Sequence, residues 1–387
     1  MAAFWRSEAI QPHMKRLFCV LLVLEVISSA GKGADSEKRL AQPLYNVGYR
    51  TIDFKYRKNG QEKTLTVAVW YPTAAKSMLH NYGGPTNGRV AVDAAPLGEK
   101  GPYPLLVFSH GYGGSGLGAV FFTERLAAHG WIVAAPDHHD RYSAVRIRAG
   151  QLKDFNRNGL WEHAKEIAAS GPGDREKYLY RLDEMKLAIN SLVASEKFCK
   201  VIDDNRIAVG GHSFGGYTAL GLCETIEERH DPRIKAVLLF STGAGGYLFK
   251  EAELAAVRIP SMLFLGEREE KQLRGSETML AIAEKVYRSL PAPKYFLEIK
   301  GASHFSFNNR FVDTRMARLL SGTEEQFEVI RRYSIAFLEK YVAEKEDVTH
   351  ILEHSDPILA HFFKQPSLDP PNEKKRNAEQ KDALNKK

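Results

Sequence analysis

The middle of the chain alternates short apolar runs with longer stretches in which apolar residues recur at helical spacing. Residues 103–111 (YPLLVFSHG) and 131–137 (WIVAAPD) are continuous apolar runs, which is typical of parallel strands covered on both faces. Between them, residues 119–130 (AVFFTERLAAHG) have helical spacing and end in Gly130, a residue type that commonly terminates helices. This stretch therefore predicts a strand, a helix and a second strand.

The same alternation continues towards the C-terminal part of the chain. Four further strands are predicted at residues 206–211, 234–242, 261–267 and 294–301. Helical periodicity separates most of them, and a last helix is predicted over residues 324–342. Repeated strand–helix alternation predicts the α/β class, with a mainly parallel central sheet and helices on both faces.

A different pattern precedes this region. Residues 49–57 and 63–71 alternate apolar and polar side chains with a period of two, and Asn59-Gly60 between them is a hairpin signal. They predict an antiparallel hairpin at one edge of the sheet. Residues 72–102 contain several glycines and prolines and are predicted to be a loop.

The N-terminus has the composition of a targeting segment. Lys15 and Arg16 precede an apolar run over residues 17–27, and small residues follow at 28–30. This order is typical of a secretory signal peptide, so residues 1–30 are predicted to be removed and the protein to be secreted or periplasmic. An uncleaved anchor is the alternative that the pattern leaves open.

The periodic region predicts one domain over residues 45–345, followed by a C-terminal extension over residues 346–365. Residues 366–387 are rich in lysine, asparagine and proline and poor in apolar residues, so this charged tail is predicted to be disordered. The chain has 387 residues, 44% of them hydrophobic and 26% charged, which suffices for one large core.

The net charge of +7 is mild for this length, and the lysines are scattered. Because no basic stripe is interleaved with aromatic residues, nucleic-acid binding is not expected. Peripheral contact with an anionic lipid surface remains open.

The sequence predicts no metal or other cofactor. The cysteines and histidines do not have the spacing of a zinc site. Residues 137–140 (DHHD) have metal-ligand residue types, but they end a predicted strand, where hydrogen bonding that shapes a pocket is favoured. Residues 154–159 (DFNRNG) begin like a calcium loop, but its twelfth position is Lys165 instead of a bidentate glutamate.

Two of the three cysteines, Cys199 and Cys223, lie outside the predicted signal peptide. They could pair in an oxidising compartment or remain thiols, and the sequence leaves both open. Cys223 follows Ser213 in a predicted helix, where a buried small apolar residue is favoured.

Residues 206–220 (RIAVGGHSFGGYTAL) begin as a strand and end as a helix, with Ser213 at the turn between them. Gly211-His212-Ser213-Phe214-Gly215 fits the G-x-S-x-G pattern in the strand–turn–helix context that a nucleophile elbow requires. Such a turn places the serine hydroxyl at the carboxyl end of the sheet. Ser213 is therefore the predicted nucleophile.

A serine needs a base, and His304 has the right position for one. It follows the last predicted strand in the sequence EIKGASHFSF. His212 lies next to Ser213 along the chain, and a packing role or a place near the oxyanion is favoured for it over that of the base.

The base in turn needs a carboxylate to fix its tautomer. Glu267, Glu269 and Glu270 follow the strand at residues 261–267, and the chain order serine, acid, histidine suits them. Glu269 is favoured because a loop acid about three residues past Gly266 can reach the histidine. Glu267 and Glu270 remain alternatives.

An oxyanion hole needs two backbone donors. One is predicted to be the amide of Phe214, which follows the nucleophile. The other is predicted to be the amide of Tyr112, in the glycine-rich loop at residues 109–116 (SHGYGGSG).

At these residues the chain resembles the α/β-hydrolases, and among them the plasma-type (class II) platelet-activating factor acetylhydrolases and their bacterial relatives, close to the dienelactone and polyester hydrolases. The resemblance rests on residues 103–111, on LAAHGWIVAAPDHHDRYSA, on the elbow and on KGASHFSF, and it covers residues 45–345. It implies a secreted serine esterase that needs no calcium and cleaves short acyl groups, with Ser213 and His304 at the matching motifs.

The chain departs from the mammalian members at one point. They carry the acid at the end of the strand after the nucleophile helix, where this chain has VLLFSTGAGG (residues 237–246) and no carboxylate. This departure favours Glu269 as the acid.

The expected function is two-step hydrolysis of short-chain esters, with the acetyl group of platelet-activating-factor-like phospholipids as the substrate that the resemblance implies. Dienelactone-type or polyester hydrolysis is the alternative activity. A non-catalytic binding protein on a hydrolase scaffold is the alternative from another class.

Overall fold

The structure is a computed structural model that describes residues 40, 42–242, 248–269, 273–274 and 277–366. The predicted signal peptide and residues 367–387 of the predicted tail lie outside the described residues. Within the described part of the chain, none of the helices has the length and apolar character that a bilayer crossing requires.

The strands follow the predicted order with additions. They are β1 (Asn46–Lys58), β2 (Gln61–Thr73), β3 (Met78–Gly83), β4 (Thr86–Val92), β5 (Tyr103–Ser109), β6 (Ile132–Pro136), β7 (Val145–Arg146), β8 (Gly150–Gln151), β9 (Ile202–His212), β10 (Ile234–Phe240), β11 (Ser261–Gly266), β12 (Leu273–Arg274), β13 (Glu277–Thr278), β14 (Lys294–Ile299) and β15 (Leu359–Gln365).

The α-helices connect these strands. They are α1 (Val120–Ala128), α2 (Arg157–Ala169), α3 (Leu179–Val193), α4 (Phe214–Gly221), α5 (Glu251–Leu254), α6 (Met279–Ser289), α7 (Arg315–Leu320), α8 (Glu324–Tyr341) and α9 (Thr349–Glu353). Short 3₁₀ turns include Pro172–Tyr178, Glu267–Glu269 and His304–Phe307.

Among the residues that the structure describes, eleven strands form one sheet in the order β15-β14-β11-β10-β9-β5-β6-β2-β1-β4-β3. The six strands from β14 to β6 run parallel to one another. Consequently the carboxyl ends of β5, β9, β10, β11 and β14 lie at one edge of the sheet, where ligands bind in open α/β sheets. The predicted fold class is confirmed.

The sheet is covered on both faces, as the apolar strand runs predict. Leu106 and Phe108 of β5 face a core to which α1 and α8 contribute. Leu105 and Val107 face the opposite core, which contains residues of α3, α4 and α6. Because successive side chains of a strand alternate between faces, a strand with two covered faces must be apolar throughout.

The predicted N-terminal hairpin is present, since β1 and β2 pair antiparallel along their whole length. The region predicted as a loop at residues 72–102 contains a second hairpin, β3–β4, which joins the sheet through β1. Buried Tyr82 of β3 accepts a hydrogen bond from the Trp70 indole at 2.9 Å and donates one to Glu124 at 2.9 Å. These tertiary contacts stabilise a hairpin that its glycine-rich sequence does not indicate.

The sheet also continues beyond residue 345, where the domain was expected to end. β15, within the expected extension at 346–365, pairs antiparallel with β14 as an edge strand. Leu359 is buried in the same core as α8.

Candidate active site

Ser213 occupies the sharp turn between β9 and α4 with φ 54° and ψ −118°. A positive φ is uncommon for a residue with a side chain, and it is typical of residues held under strain at functional sites. The Ser213 amide donates to the carbonyl of Phe240 at 2.9 Å, and the Ser213 carbonyl accepts from Gly216 at 2.9 Å. These bonds hold the strained turn.

Two positions in this turn have no room for a side chain, and both are occupied by glycine. A Cβ on Gly211 would lie 2.1 Å from the carbonyl oxygen of Gly215, and a Cβ on Gly215 would lie 2.0 Å from that of Ser109. Real Cβ atoms do not approach so closely. The glycines of the motif therefore serve close backbone packing between β9, α4 and β5.

His304 reaches Ser213 from the turn that follows β14. Its Nε2 atom lies 2.9 Å from the Ser213 hydroxyl oxygen. Its side chain is about a quarter exposed, at 24%. The structure thus brings together the predicted nucleophile and the predicted base, which lie 91 positions apart in sequence.

Glu269 completes a hydrogen-bonded chain with these two residues. Its Oε2 lies 2.8 Å from His304 Nδ1, and its Oε1 accepts from the amide of Gly266 at 3.0 Å. The carboxylate is fully buried. Glu267 instead is exposed and accepts from the Gly301 amide at 2.6 Å, and Glu270 lies outside the described residues.

Ser241 is a fourth side chain in this group, and no sequence pattern predicted it. It follows β10, and its hydroxyl lies 2.5 Å from Glu269 Oε2 and 2.6 Å from His304 Nδ1. A serine after a strand is too common a pattern to indicate such a contact.

His212 supports the main chain of His304. Asn308 donates its side-chain amide to Nδ1 of His212 at 3.0 Å, so Nε2 carries the proton that is donated to the His304 carbonyl at 2.9 Å. Burial, and after it the charge of His304, keeps the pKa of His212 well below its usual value. His212 is therefore neutral and hydrogen-bonded at both ring nitrogens, which is compatible with the packing role predicted for it.

The predicted oxyanion loop lies against the nucleophile. A Cβ on Gly111 would be 3.3 Å from the Cβ of Ser213, which shows how closely the loop approaches. The phenol of Tyr112 contacts His163 Nδ1 at 2.6 Å. Within the described part of the chain, the amides of Tyr112 and Phe214 donate no hydrogen bond to another group.

A buried ion pair fixes this loop from behind. Arg181 of α3 donates from Nε and Nη2 to the two carboxylate oxygens of Asp140, each at 2.9 Å. Arg181 Nη1 also donates to the carbonyl of His110 at 2.9 Å, and Asp140 accepts from the amide of Gly113 at 3.1 Å. The pair therefore binds the loop on both sides of Tyr112.

The same ion pair contacts the other predicted oxyanion residue. The Arg181 guanidinium lies 4.7 Å from the centre of the Phe214 ring, a cation–π distance. Burial by itself would raise the pKa of Asp140, but the charge and hydrogen bonds of Arg181 hold that pKa below its usual value. Asp140 is consequently ionised as the partner of a buried cation.

The remaining residues of the DHHD segment take part in hydrogen bonds. Asp137 accepts from the amides of Gly116 and Ile147 at 2.8 and 2.7 Å. His138 is fully buried between the Ser109 hydroxyl at 2.8 Å and Glu184 at 2.9 Å.

Cys199 and Cys223 are both free thiols, the first exposed and the second buried.

The chain is similar to several known ester hydrolases. Residues 59–170 match the family model described as platelet-activating factor acetylhydrolase, isoform II. The chain is 27% identical to the platelet-activating factor acetylhydrolase of Cavia porcellus over 320 residues, which cover 73% of this chain and 70% of that protein. It is also 27% identical to cutinase 2 of Thermobifida cellulosilytica over 256 residues, which cover 66% of this chain and 74% of the cutinase.

A solved structure of a ferulic acid esterase from Streptomyces cinnamoneus matches 85% of this chain and 96% of its own, with a TM-score of 0.59 and 18% identity. This likeness shows the fold, and the two sequence relatives named above are carboxylic ester hydrolases. The chain therefore has the α/β-hydrolase fold and is a carboxylic ester hydrolase, and it resembles the platelet-activating factor acetylhydrolases and their bacterial relatives.

Proposed function

We propose that the protein is a serine esterase that hydrolyses short-chain acyl esters through an acyl-enzyme. Ser213 is the nucleophile, His304 the general base and acid, and Glu269 the carboxylate that orients His304. The observation that carries the proposal is the hydrogen-bonded chain from the Ser213 hydroxyl through His304 to buried Glu269, at 2.9 and 2.8 Å.

In the first step, the Ser213 oxygen attacks the ester carbonyl while His304 Nε2 accepts its proton. Glu269 accepts a hydrogen bond from Nδ1–H, which fixes the tautomer with a free Nε2 and stabilises the imidazolium that forms. His304 then donates the proton to the leaving alcohol, and the acyl group remains on Ser213.

The negative oxygen of the tetrahedral intermediate is held by the amides of Tyr112 and Phe214. A single donor of this kind contributes roughly 3 kcal/mol of transition-state stabilisation in well-studied hydrolases. In the second step, His304 activates a water molecule that attacks the acyl-enzyme and releases the acid.

The acetyl group of platelet-activating-factor-like phospholipids is the substrate we favour, because acetylhydrolases are among the similar proteins. Polyester hydrolysis is the second candidate, favoured by the similarity to cutinases. Dienelactone-type hydrolysis is a third activity compatible with the same triad. Secretion is part of the proposal and is supported by the signal-like pattern at residues 1–30.

The test is hydrolysis of p-nitrophenyl esters of increasing acyl length by the wild-type protein, Ser213→Ala and Ser355→Ala. Ser355 is an exposed serine with no role in the site, so its variant controls for the substitution itself. We expect activity to fall steeply beyond acetate or butyrate, and Ser213→Ala to lower kcat by roughly five to six orders of magnitude.

Acetylated phospholipid and a solid polyester then separate the candidate substrates. Release of acetate from the lipid with no attack on the polyester would support the acetylhydrolase function, and the reverse would support the cutinase-like one. Absence of all ester hydrolysis in the wild-type protein, together with no labelling of Ser213 by a fluorophosphonate, would overturn the proposal and favour a binding protein.

A further inference from the structure

Ser241 is held rigidly beside the base and the acid. Its side chain is fully buried, and its amide donates to the carbonyl of Phe264 in the neighbouring strand β11 at 2.8 Å. Its backbone has φ 47°, in the left-handed region. The hydroxyl therefore has a fixed place at the carboxyl end of β10.

The hydroxyl lies between the two groups that the mechanism uses. Glu269 Oε2 at 2.5 Å can only accept as a carboxylate, so the Ser241 hydroxyl donates to it. The Ser241 oxygen then faces His304 Nδ1 at 2.6 Å. The Nδ1 proton consequently lies between two oxygens, one from Glu269 and one from Ser241.

The backbone at this position gives no reason for a serine. A left-handed residue is accommodated best by glycine, and next by asparagine or aspartate, which are the polar residues most frequent there. The polar group of serine at φ 47° is its hydroxyl, and that hydroxyl contacts both Glu269 and His304.

We propose that Ser241 is a positioning residue of the triad, an inference that rests on the function proposed above. By donating to Oε2, it keeps the Glu269 carboxylate directed at Nδ1. By presenting its own oxygen to Nδ1–H, it limits rotation of the His304 ring, so Nε2 stays aligned with the Ser213 hydroxyl. Ser241 touches neither the substrate nor the reacting atoms and acts through Glu269 and His304.

Ser241→Gly separates this role from a structural one, because glycine relieves the backbone strain while it removes the CH2OH side chain and with it both contacts of the hydroxyl. We expect kcat to fall about tenfold with KM within twofold, and the unfolding temperature to be equal to that of the wild type or higher. Glu344→Gly is the matched control, since Glu344 is exposed and left-handed at φ 55° but lies after α8. It should leave kcat unchanged.

A second readout does not depend on turnover. The proton on His304 Nδ1 gives a downfield nuclear magnetic resonance signal when it is held in a strong hydrogen bond, and Ser241→Gly should move this signal upfield. Ser241→Ala, which keeps the strained backbone, serves if the glycine variant does not fold.

The outcomes distinguish this inference from the proposed function. If the wild type hydrolyses esters but Ser241→Gly keeps full kcat and an unmoved Nδ1 signal, the positioning role is wrong and the esterase function stands. If the wild type hydrolyses no ester, the proposed function fails, and an upfield shift in the variant would still support the contact with His304. A rise in KM alone would also overturn the positioning role.

Discussion

The turn at Ser213 depends on individual glycine residues. Gly215 is the second residue of α4. A Cβ at this position would lie 2.0 Å from the carbonyl oxygen of Ser109 in β5. The obstructing atom belongs to the backbone of a central strand, so it cannot move without disturbing the sheet. Glycine is therefore required at 215 by packing, independently of any chemistry.

We expect Gly215→Ala to lower the free energy of unfolding by about 2 kcal/mol or more, in the upper range for overpacking, and to displace Ser213 from His304. Gly171→Ala is the matched control, because nothing lies within 4 Å of its Cβ and its φ of −124° suits alanine. Urea unfolding and ester hydrolysis of both variants check the prediction. An alanine variant at 215 as stable and as active as the control would contradict it.

Among the elements, helix α3 and its ion pair hold the loop at residues 109–116, the predicted oxyanion loop, at the carboxyl end of the sheet. Arg181 bonds to the His110 carbonyl, and its partner Asp140 bonds to the Gly113 amide. Both charged side chains are fully buried. Removal of one member of such a pair leaves an unpaired charge in the interior, which costs far more than the loss of an exposed pair.

We expect Arg181→Met to lower the free energy of unfolding by about 3–5 kcal/mol and to lower kcat, because Asp140 loses its partner and the loop loses a donor. Arg288→Met is the control, since Arg288 pairs with Glu284 on the exposed side of α6. Arg288→Met should lower the free energy of unfolding by less than about 1 kcal/mol. Denaturant titration and ester kinetics measure both effects, and equal losses in the two variants would refute the argument.

Glu184 of α3 joins three elements at one point. It contacts His138 at 2.9 Å and His139 at 2.7 Å after β6, and it accepts from Tyr56 of β1 at 3.2 Å. Burial by itself would raise the pKa of Glu184, but the hydrogen bonds and charges of the two histidines lower it to about 2 from 4.5. A pKa below the unfolded value means that Glu184 stabilises the fold above about pH 4.5 and that this contribution is lost as the pH falls to about 2.

This lowered pKa predicts that Glu184 contributes at most about 3 kcal/mol to the free energy of unfolding near neutral pH. Glu184→Gln should therefore be less stable than the wild type at pH 6, and the difference should narrow at pH 3. Glu162→Gln, at an exposed glutamate of α2, should match the wild type at both values. The free energies of unfolding are measured by denaturant titration at both pH values. The linkage would be contradicted if Glu184→Gln differed from the wild type by the same amount at pH 6 and at pH 3.

In the molecule as a whole, β15 is the outermost strand on one side of the sheet, next to the strand that leads to the candidate site. It covers β14, which leads directly to His304. Phe362 packs on Tyr333 of α8, with ring centres 5.6 Å apart, and Phe363 packs on Phe296 of β14 at 5.9 Å. Without β15, an apolar strand edge would be open to pairing with other chains.

We expect a chain that ends at Pro357 to have a lower unfolding temperature and to aggregate, because β14 loses its neighbour. A chain that ends at Pro366 keeps all of β15 and is the control, with the wild-type temperature expected. Thermal unfolding and light scattering test the pair. Identical behaviour of the two truncated chains would show that β15 does not stabilise the sheet.

Local patterns determined much of the architecture. The apolar runs predicted the parallel strands, because a strand covered on both faces must be apolar at every position. Asn59-Gly60 predicted the β1–β2 hairpin, and the glycine-flanked Ser213 predicted the turn, because both depend on backbone angles that few residues adopt. Such features are encoded within a dozen consecutive residues.

The tertiary structure alone decided which side chains meet. Spacing past Gly266 favoured Glu269 but left Glu267 and Glu270 open, because all three follow the same strand. The fold brings Glu269 to His304 and binds Glu267 to the Gly301 amide. The contacts of Ser241 and Arg181, and the pairing of β15, likewise join residues far apart in sequence. No local pattern encodes them, since they arise only where separate strands end at one edge of the sheet.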